Sequence, residues 1–418
     1  MDLLLSIFKL PHKKVLMSKS SFFTGQPIFS QLINYIPRSK ITQISREHQA
    51  DRYCKRFKSY DHLITMLYGV FNRCDSLREI TTGLLAWEQK LQHLGLAHYP
   101  RRSTLADANN RRSHEVFEAI YYQLYQRYQS FLSDSRSRQS RTYIFDSTTI
   151  TLFSEVMKGV GLPDQTGRRK GGIKVHTLLR SDQDVPCMIR YSAATSNDVQ
   201  FLKDVSLPCG SIIVFDRGYP DYTSYNRFNA GKVTWVTRLR SSTHFSVQAD
   251  RAIPEGQRQK GVLEDKEILI GYPKKRSVKV AARLIRYYDA GCQKELVFIT
   301  NNTRMHATTI ASLYKQRWQI ELLFKRIKQN YPLRYFLGES VNAIKIQIWC
   351  VLIADLLLKV IKKTTRSPWA FSNIASMVRL HLMTYVDLRA FMKSAEKVLL
   401  QRIKATQQTK HIPRLFDT

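Results

Sequence analysis

Closely spaced cysteines are missing from this chain. Its six cysteines (Cys54, Cys74, Cys187, Cys209, Cys292 and Cys350) are scattered with no C-x-x-C pair. Neither a zinc site nor a disulfide framework is expected, which suits a reducing cytoplasm. No G-x-x-x-x-G-K-S/T and no G-x-G-x-x-G occurs, so nothing points to ATP or a dinucleotide as cofactor. No stretch reaches the roughly 18 apolar residues of a membrane helix. The apolar start, Met1 to Leu10, is short and lacks the basic region and small-residue cleavage site of a signal peptide. Acidic residues are scarce: 33 Asp and Glu face 66 Lys and Arg, a formal net charge of +33 with a pI near 10.0. The excess runs along the whole chain, so the expected partner is a polyanion, with nucleic acid first and no membrane.

What is present supports a folded chain of several parts. Hydrophobic residues make up 43% of the 418 residues, enough for a real core. Residues 1–25 form an untidy lead. Residues 26–134 carry helical periodicity throughout, and Ser76-Leu-Arg-Glu79 is a capping box for a helix running to Leu94 and closed by Gly95. After Pro100, Ser103 is expected to cap a helix whose polar first turns include Asn109, Asn110, Arg111 and Arg112. Such a helix suits DNA contact through Arg111 and Arg112, or is a solvated face. Ser133 to Arg141 is the best linker.

Beyond Thr142 the texture turns to β-branched and aromatic runs. Tyr143 to Phe153, Ile173 to Arg180 and Pro186 to Ala194 read as three neighbouring strands. A Gly-rich basic loop with Arg168, Arg169 and Lys170 lies between the first two. A helix, the apolar strand Ser211 to Phe215, a helix and the strand Val233 to Leu239 follow. The expected fold is α/β, a mixed sheet flanked by helices. A β-rich stretch at 240–300 is expected as an inserted subdomain between core parts 142–239 and 301–363. A helical tail occupies 364–418.

The stretch Tyr314 to Lys328 reads as one helix, without Gly or Pro between Thr308 and Asn330. Tyr314, Arg317, Glu321 and Lys328 stand at offsets 0, 3, 7 and 14, within an arc of roughly 60°. Leu313, Ile320, Phe324, Ile327 and Tyr331 form the buried stripe. Two more carboxylates are placed by strands: Asp146 on the first, and Asp216 immediately after Phe215, before Arg217-Gly218. Catalytic groups gather at strand ends in open α/β sheets. Singly, each acid has a plainer reading: Asp146 as a turn cap, Asp216 as a helix start, Glu321 as a partner of Lys325. Together they fit a hard-metal site for phosphodiester chemistry with two Mg2+ ions.

On these residues the chain resembles the DDE transposases of bacterial insertion sequences, in the group marked by Tyr-x2-Arg-x3-Glu-x6-Lys. That pattern is Tyr314, Arg317, Glu321 and Lys328 here, and Ile144-Phe-Asp-Ser-Thr148, Gly172 to Leu179 and Asp216 to Tyr222 also fit. The resemblance implies a ribonuclease H-like core preceded by a helical, DNA-binding domain. It implies Asp146, Asp216 and Glu321 as the catalytic, metal-binding triad, with Mg2+, or Mn2+ in its place, as two ions per site. It implies cut-and-paste movement between terminal inverted repeats, with double-stranded DNA as element ends and target. A homodimer is expected because two ends are cut in concert. The site of action is expected to be the bacterial cytoplasm, at the nucleoid. Arg317 and Lys328 have the chemistry to grip phosphates, and Tyr314 to bond a phosphate or stack on a base. His176, Arg217 and Trp318 are candidate neighbours, with core packing as the alternative for His176 and Trp318. A related nuclease without strand transfer, and a catalytically dead DNA-binding copy, are the alternative functions.

Overall fold

The computed structural model describes residues 25–133, 141–151, 172–193, 199–271, 278–333 and 335–409. Among these residues six α-helices come first: α1 (Ile28–Ile33), α2 (Arg38–Glu47), α3 (Ser59–Asn72), α4 (Leu77–Leu85), α5 (Arg102–Arg111) and α6 (His114–Leu132). Then come β1 (Thr142–Thr151), β2 (Gly172–Arg180), β3 (Val185–Ala193), α7 (Val199–Asp204), β4 (Ile212–Phe215), α8 (Tyr222–Ala230) and β5 (Thr234–Arg238). Next are β6 (Phe245–Asp250), α9 (Glu255–Arg258), β7 (Val262–Ile270), β8 (Val280–Asp289) and β9 (Lys294–Thr300). The described residues end in α10 (Ala307–Lys315), α11 (Trp318–Asn330), α12 (Val341–Thr365), α13 (Phe371–His381), α14 (Leu388–Lys393) and α15 (Ala395–Thr409).

The nine strands among the described residues join one sheet, in the order β3-β2-β1-β4-β5-β9-β8-β7-β6. The stretch expected as an inserted β subdomain extends the main sheet, because β9 pairs antiparallel with β5. Side chains alternate across the sheet. Ile144, Ile173 and Val175 face a core shared with α3, α6, α11 and α12. Phe145, Ile213 and Phe215 face a second core under α7 and α8. Helix α12 is buried along nearly its whole length, yet no helix among the described residues is long and apolar enough to cross a membrane.

The C-terminal helices are no loose appendage. Ile28 and Phe29 donate backbone bonds to Thr384 and Leu382 at 3.1 and 2.8 Å, and Gln31 bonds Val386 and Leu388. The first helix and the last three therefore close over one core.

Three helix expectations are revised. Ser76 accepts from the Glu79 amide as a cap, but the helix stops at Leu85, and a separate 3-10 turn, Glu88–Leu94, reaches Gly95 at φ 70°. Helix α5 starts at Arg102, so Ser103 lies inside its first turn. The long helix expected through 314–328 is two, α10 and α11. Between them the amides of Gln316, Arg317, Gln319 and Ile320 bond three residues back, a 3-10 link that keeps the right-handed path.

Candidate active site

Two carboxylates are positioned by strand register alone. β1 and β4 run parallel, with Phe145 opposite Phe215. Asp146 and Asp216 are the next residue on each, so they stand side by side on adjacent strands, on the face of α10–α12. β4 ends at Phe215, and Asp216 turns the chain there by accepting the Gly218 amide at 3.2 Å. The Ser147 amide donates to Asp146 at 2.8 Å.

The third carboxylate arrives on α11. Arg283 on β8, ion-paired with Asp265, donates to the Asn302 and Met305 carbonyls at 3.2 and 2.5 Å. That fixes the turn that carries the chain from β9 into α10. The 3-10 link then places Arg317 between two acids: Nη1 donates to Asp146 at 2.7 Å and Nη2 to Glu321 at 2.5 Å. Glu321 thus pairs with Arg317, and not with Lys325. Tyr314 brings its hydroxyl to Asp216 at 3.3 Å. Lys328 donates to Thr148 Oγ1 at 2.8 Å and the Thr149 carbonyl at 3.3 Å. The four residues of the helical pattern and both aspartates therefore meet at one place.

Electrostatics follow from burial. The Asp146 carboxyl is pushed up to about 6 by desolvation and by the charges of Asp216 and Glu321, against the pull of the Ser147 amide and Arg317. Burial also pushes the Tyr314 phenol up to about 12, so it stays a donor. A groove of about 1440 Å³ opens beside Asp146 and Glu321, and Lys325, Lys328, Arg73 and Arg379 give it a cationic wall.

The family described as the transposase DDE domain matches residues 137–357, more than half of the chain. The chain belongs to the DDE transposases. The y4zB protein of Sinorhizobium fredii, named as a transposase, is 30% identical over 298 residues, covering 70% of this chain and 80% of that one. The transposase of the insertion sequence element IS4SA from Synechocystis is 24% identical, covering 62% and 71%. A piggyBac transposase synaptic complex with hairpin DNA aligns at 12% identity and a TM-score of 0.39, over 96% of this chain and 85% of that one, too distant to carry an argument. Residues 24–97 match a domain of unknown function, DUF4372.

Family membership implies that the transposase depends on a divalent metal. Among the described residues no three His, Cys, Asp or Glu side chains stand at metal-ligating spacing, with Arg317 held between two of the three carboxylates. The donor chemistry still fits. The set is all oxygen, the ligand type of hard cations, and Asp146 and Glu321 already share one positive charge.

The remaining candidates divide. Arg168, Arg169 and Lys170 lie outside the described residues. Arg111 is exposed and paired with Asp107. Arg112 is corrected from a DNA contact to a core residue: it is buried and its Nη atoms are taken up by His62, Asp51 and Phe57. His176 takes the core-packing alternative. It lies opposite Ser147 in the β1–β2 ladder, hence on the other sheet face from Asp146, and it stacks on Phe201 at 3.6 Å. Tyr314 has its ring buried against Phe298, which removes base stacking and leaves only the hydroxyl for the site. Arg217 is exposed beside Asp216. Trp318 is 58% exposed, whereas Trp235 is core.

One residue that sequence reasoning missed stands behind the site. Arg326 of α11 donates to Asp355 of α12 at 3.2 and 3.0 Å and to Asp184 of the β2–β3 turn at 2.7 Å. Lys359 pairs with the same Asp184. This ion cluster pins the helix that carries Glu321. A long apolar helix interrupted by Asp355 was the available signal.

Proposed function

We propose that Asp146, Asp216 and Glu321 are the catalytic and metal-holding residues, and that the transposase cuts DNA at the terminal inverted repeats of its insertion sequence and joins the freed 3′-OH to a target. The observation that carries this is the meeting of both aspartates with Tyr314, Arg317 and Glu321 where the parallel pairing of β1 and β4 stops, Asp146 within β1 and Asp216 just past the end of β4. The three carboxylates would hold Mg2+, or Mn2+ as substitute, two ions per site. Such ions, when bound, supply Lewis acidity that activates water and stabilises the departing 3′ oxygen. Arg317 and Lys328 then hold backbone phosphates, and the Tyr314 hydroxyl orients Asp216. Holding an end through cleavage and joining favours such clamps.

The strand order β3-β2-β1-β4-β5, antiparallel then parallel, supports a ribonuclease H-like core over 142–239 and 301–363. Around that core, 240–300 is assigned as the insertion, 26–134 as the DNA-binding part and 364–418 as the helical tail. Two copies acting together on two ends make the working unit a homodimer on DNA.

The test is incubation of the protein with labelled element ends and Mg2+, beside Asp216→Ala. Joined products that vanish in the variant support the reading. Cleavage without joining makes the protein a nuclease, and binding without any cut in either protein sinks the enzymatic assignment of the triad.

A further inference from the structure

Between α2 and α3 the chain runs through a basic loop that the catalytic site does not use. Arg38 to Lys58 holds seven Lys or Arg against Glu47 and Asp51. In the loop, Arg52, Tyr53, Lys55, Arg56 and Lys58 are all exposed, Tyr53 at 86%. None of the four cations makes an ion pair among the described residues. Arg52 lies over the Tyr53 ring at 5.0 Å, and Tyr53 takes a left-handed backbone at φ 62°, uncommon for a bulky residue.

The loop is built from below. Asp51 Oδ1 accepts from the Ser59 amide at 2.7 Å, the Ser59 hydroxyl at 2.8 Å and Arg112 at 3.2 Å. Buried Arg112 donates to the Phe57 carbonyl at 3.0 Å and to His62 at 3.0 Å, and His62 is held by Asn109 at 2.8 Å. One interior cation thus fixes both ends of a loop whose outer cations repel each other. A like-charged loop held rigid loses little freedom when an anion arrives. A hollow of about 750 Å³ lies between it and α5, with Arg52, Tyr53, Lys55, Arg56 and Arg111 on its walls. None of these residues lines the groove at Asp146.

We infer that the loop at 52–58, and not the outer face of α5, is a second DNA contact: a clamp on the phosphate backbone of duplex DNA, made within the stretch matched by the domain of unknown function. Exposed cations that grip backbone phosphates carry no sequence information, so the clamp adds affinity on any sequence. The inference rests on DNA being the substrate, as proposed above.

The experiment measures binding of full-length protein, with Ca2+ in place of Mg2+, to a duplex carrying the inverted repeat that flanks its own gene and to a scrambled duplex. Lys55→Gln/Arg56→Gln is compared with Lys232→Gln/Lys397→Gln, which removes the same charge from exposed sites elsewhere. The loop variant should lose roughly tenfold or more in affinity on both duplexes, and its slope of log affinity against log salt should flatten by about 2. The control should stay near wild type. Equal behaviour of the two variants overturns the clamp. If wild type binds and cuts its ends, with cutting abolished by Asp216→Ala, while the loop variant binds as wild type does, the clamp alone falls. Failure of wild type to bind either duplex overturns the clamp together with the DNA-substrate reading.

Discussion

The guanidinium of Arg317 lies 2.7 Å from the Asp146 carboxylate and reaches Glu321 with its other terminal nitrogen. Asp146 and Arg317 have side chains only 17% and 16% exposed, so this charge balances two acids in a partly dry place. Arg317→Met leaves the acids facing each other without it. The metal-free variant should lose about 1–3 kcal/mol, the cost of unpaired, partly buried polar groups, and show it as a lower melting temperature. Mg2+ should stabilise the variant more than wild type. Identical melting of the two proteins without metal would show that Arg317 is not the counter-charge.

Arg326 acts at one remove. It ties the back of α11 to Asp355, whose side chain is 3% exposed, and to Asp184. Arg326→Met should cut the cleavage rate about 10–100-fold, the range for groups that orient metal-binding residues, while affinity for end DNA stays within a few-fold. Arg326→Lys should recover part of the rate. A variant that loses DNA affinity and rate in equal measure would make Arg326 a general stability residue.

The strands, and the places of Asp146 within β1 and Asp216 after β4, were legible because alternation and apolar runs are local signals. The link at Gln316 and Arg317 was not. Both residues keep right-handed helical angles, and only the bonding shifts from four residues back to three, which no side chain announces. Nor did the sequence separate Arg111 from Arg112. One is on the surface and the other buried because His62 and Asp51, 50 and 61 residues away, wait beneath. The union of the 245–300 strands with the main sheet depends on the β5–β9 pairing, a long-range contact with no local mark.

Tyr314 separates orientation from binding. Its hydroxyl donates to Asp216 at 3.3 Å, while its ring packs on Phe298 at 5.1 Å between centroids. Tyr314→Phe keeps the packing and removes the bond, so melting should move little, since one such bond is worth about 1 kcal/mol. Cleavage should fall about tenfold with DNA affinity unchanged. An unchanged rate would leave the hydroxyl without a role at Asp216.

His62 gives the helical part a pH dependence with a definite sign. Burial, and then the Arg112 charge, push its pKa down to about 3 against the bond it donates to Asn109. Arg112 has only protons to offer, so Nδ1 accepts from it and the proton sits on Nε2, toward Asn109 Oδ1. The folded chain keeps the ring neutral, whereas the unfolded chain protonates it near pH 6.5. Below that pH the unfolded state binds the extra proton, so stability falls by about 1.4 kcal/mol per pH unit between roughly 6.5 and 3. Above pH 7 this contribution is flat. Denaturant unfolding at pH 7.5, 6 and 5 should show the loss, and His62→Gln, which has no proton to take up, should flatten it by about that slope. An equally steep decline in His62→Gln would move the acid sensitivity to other groups.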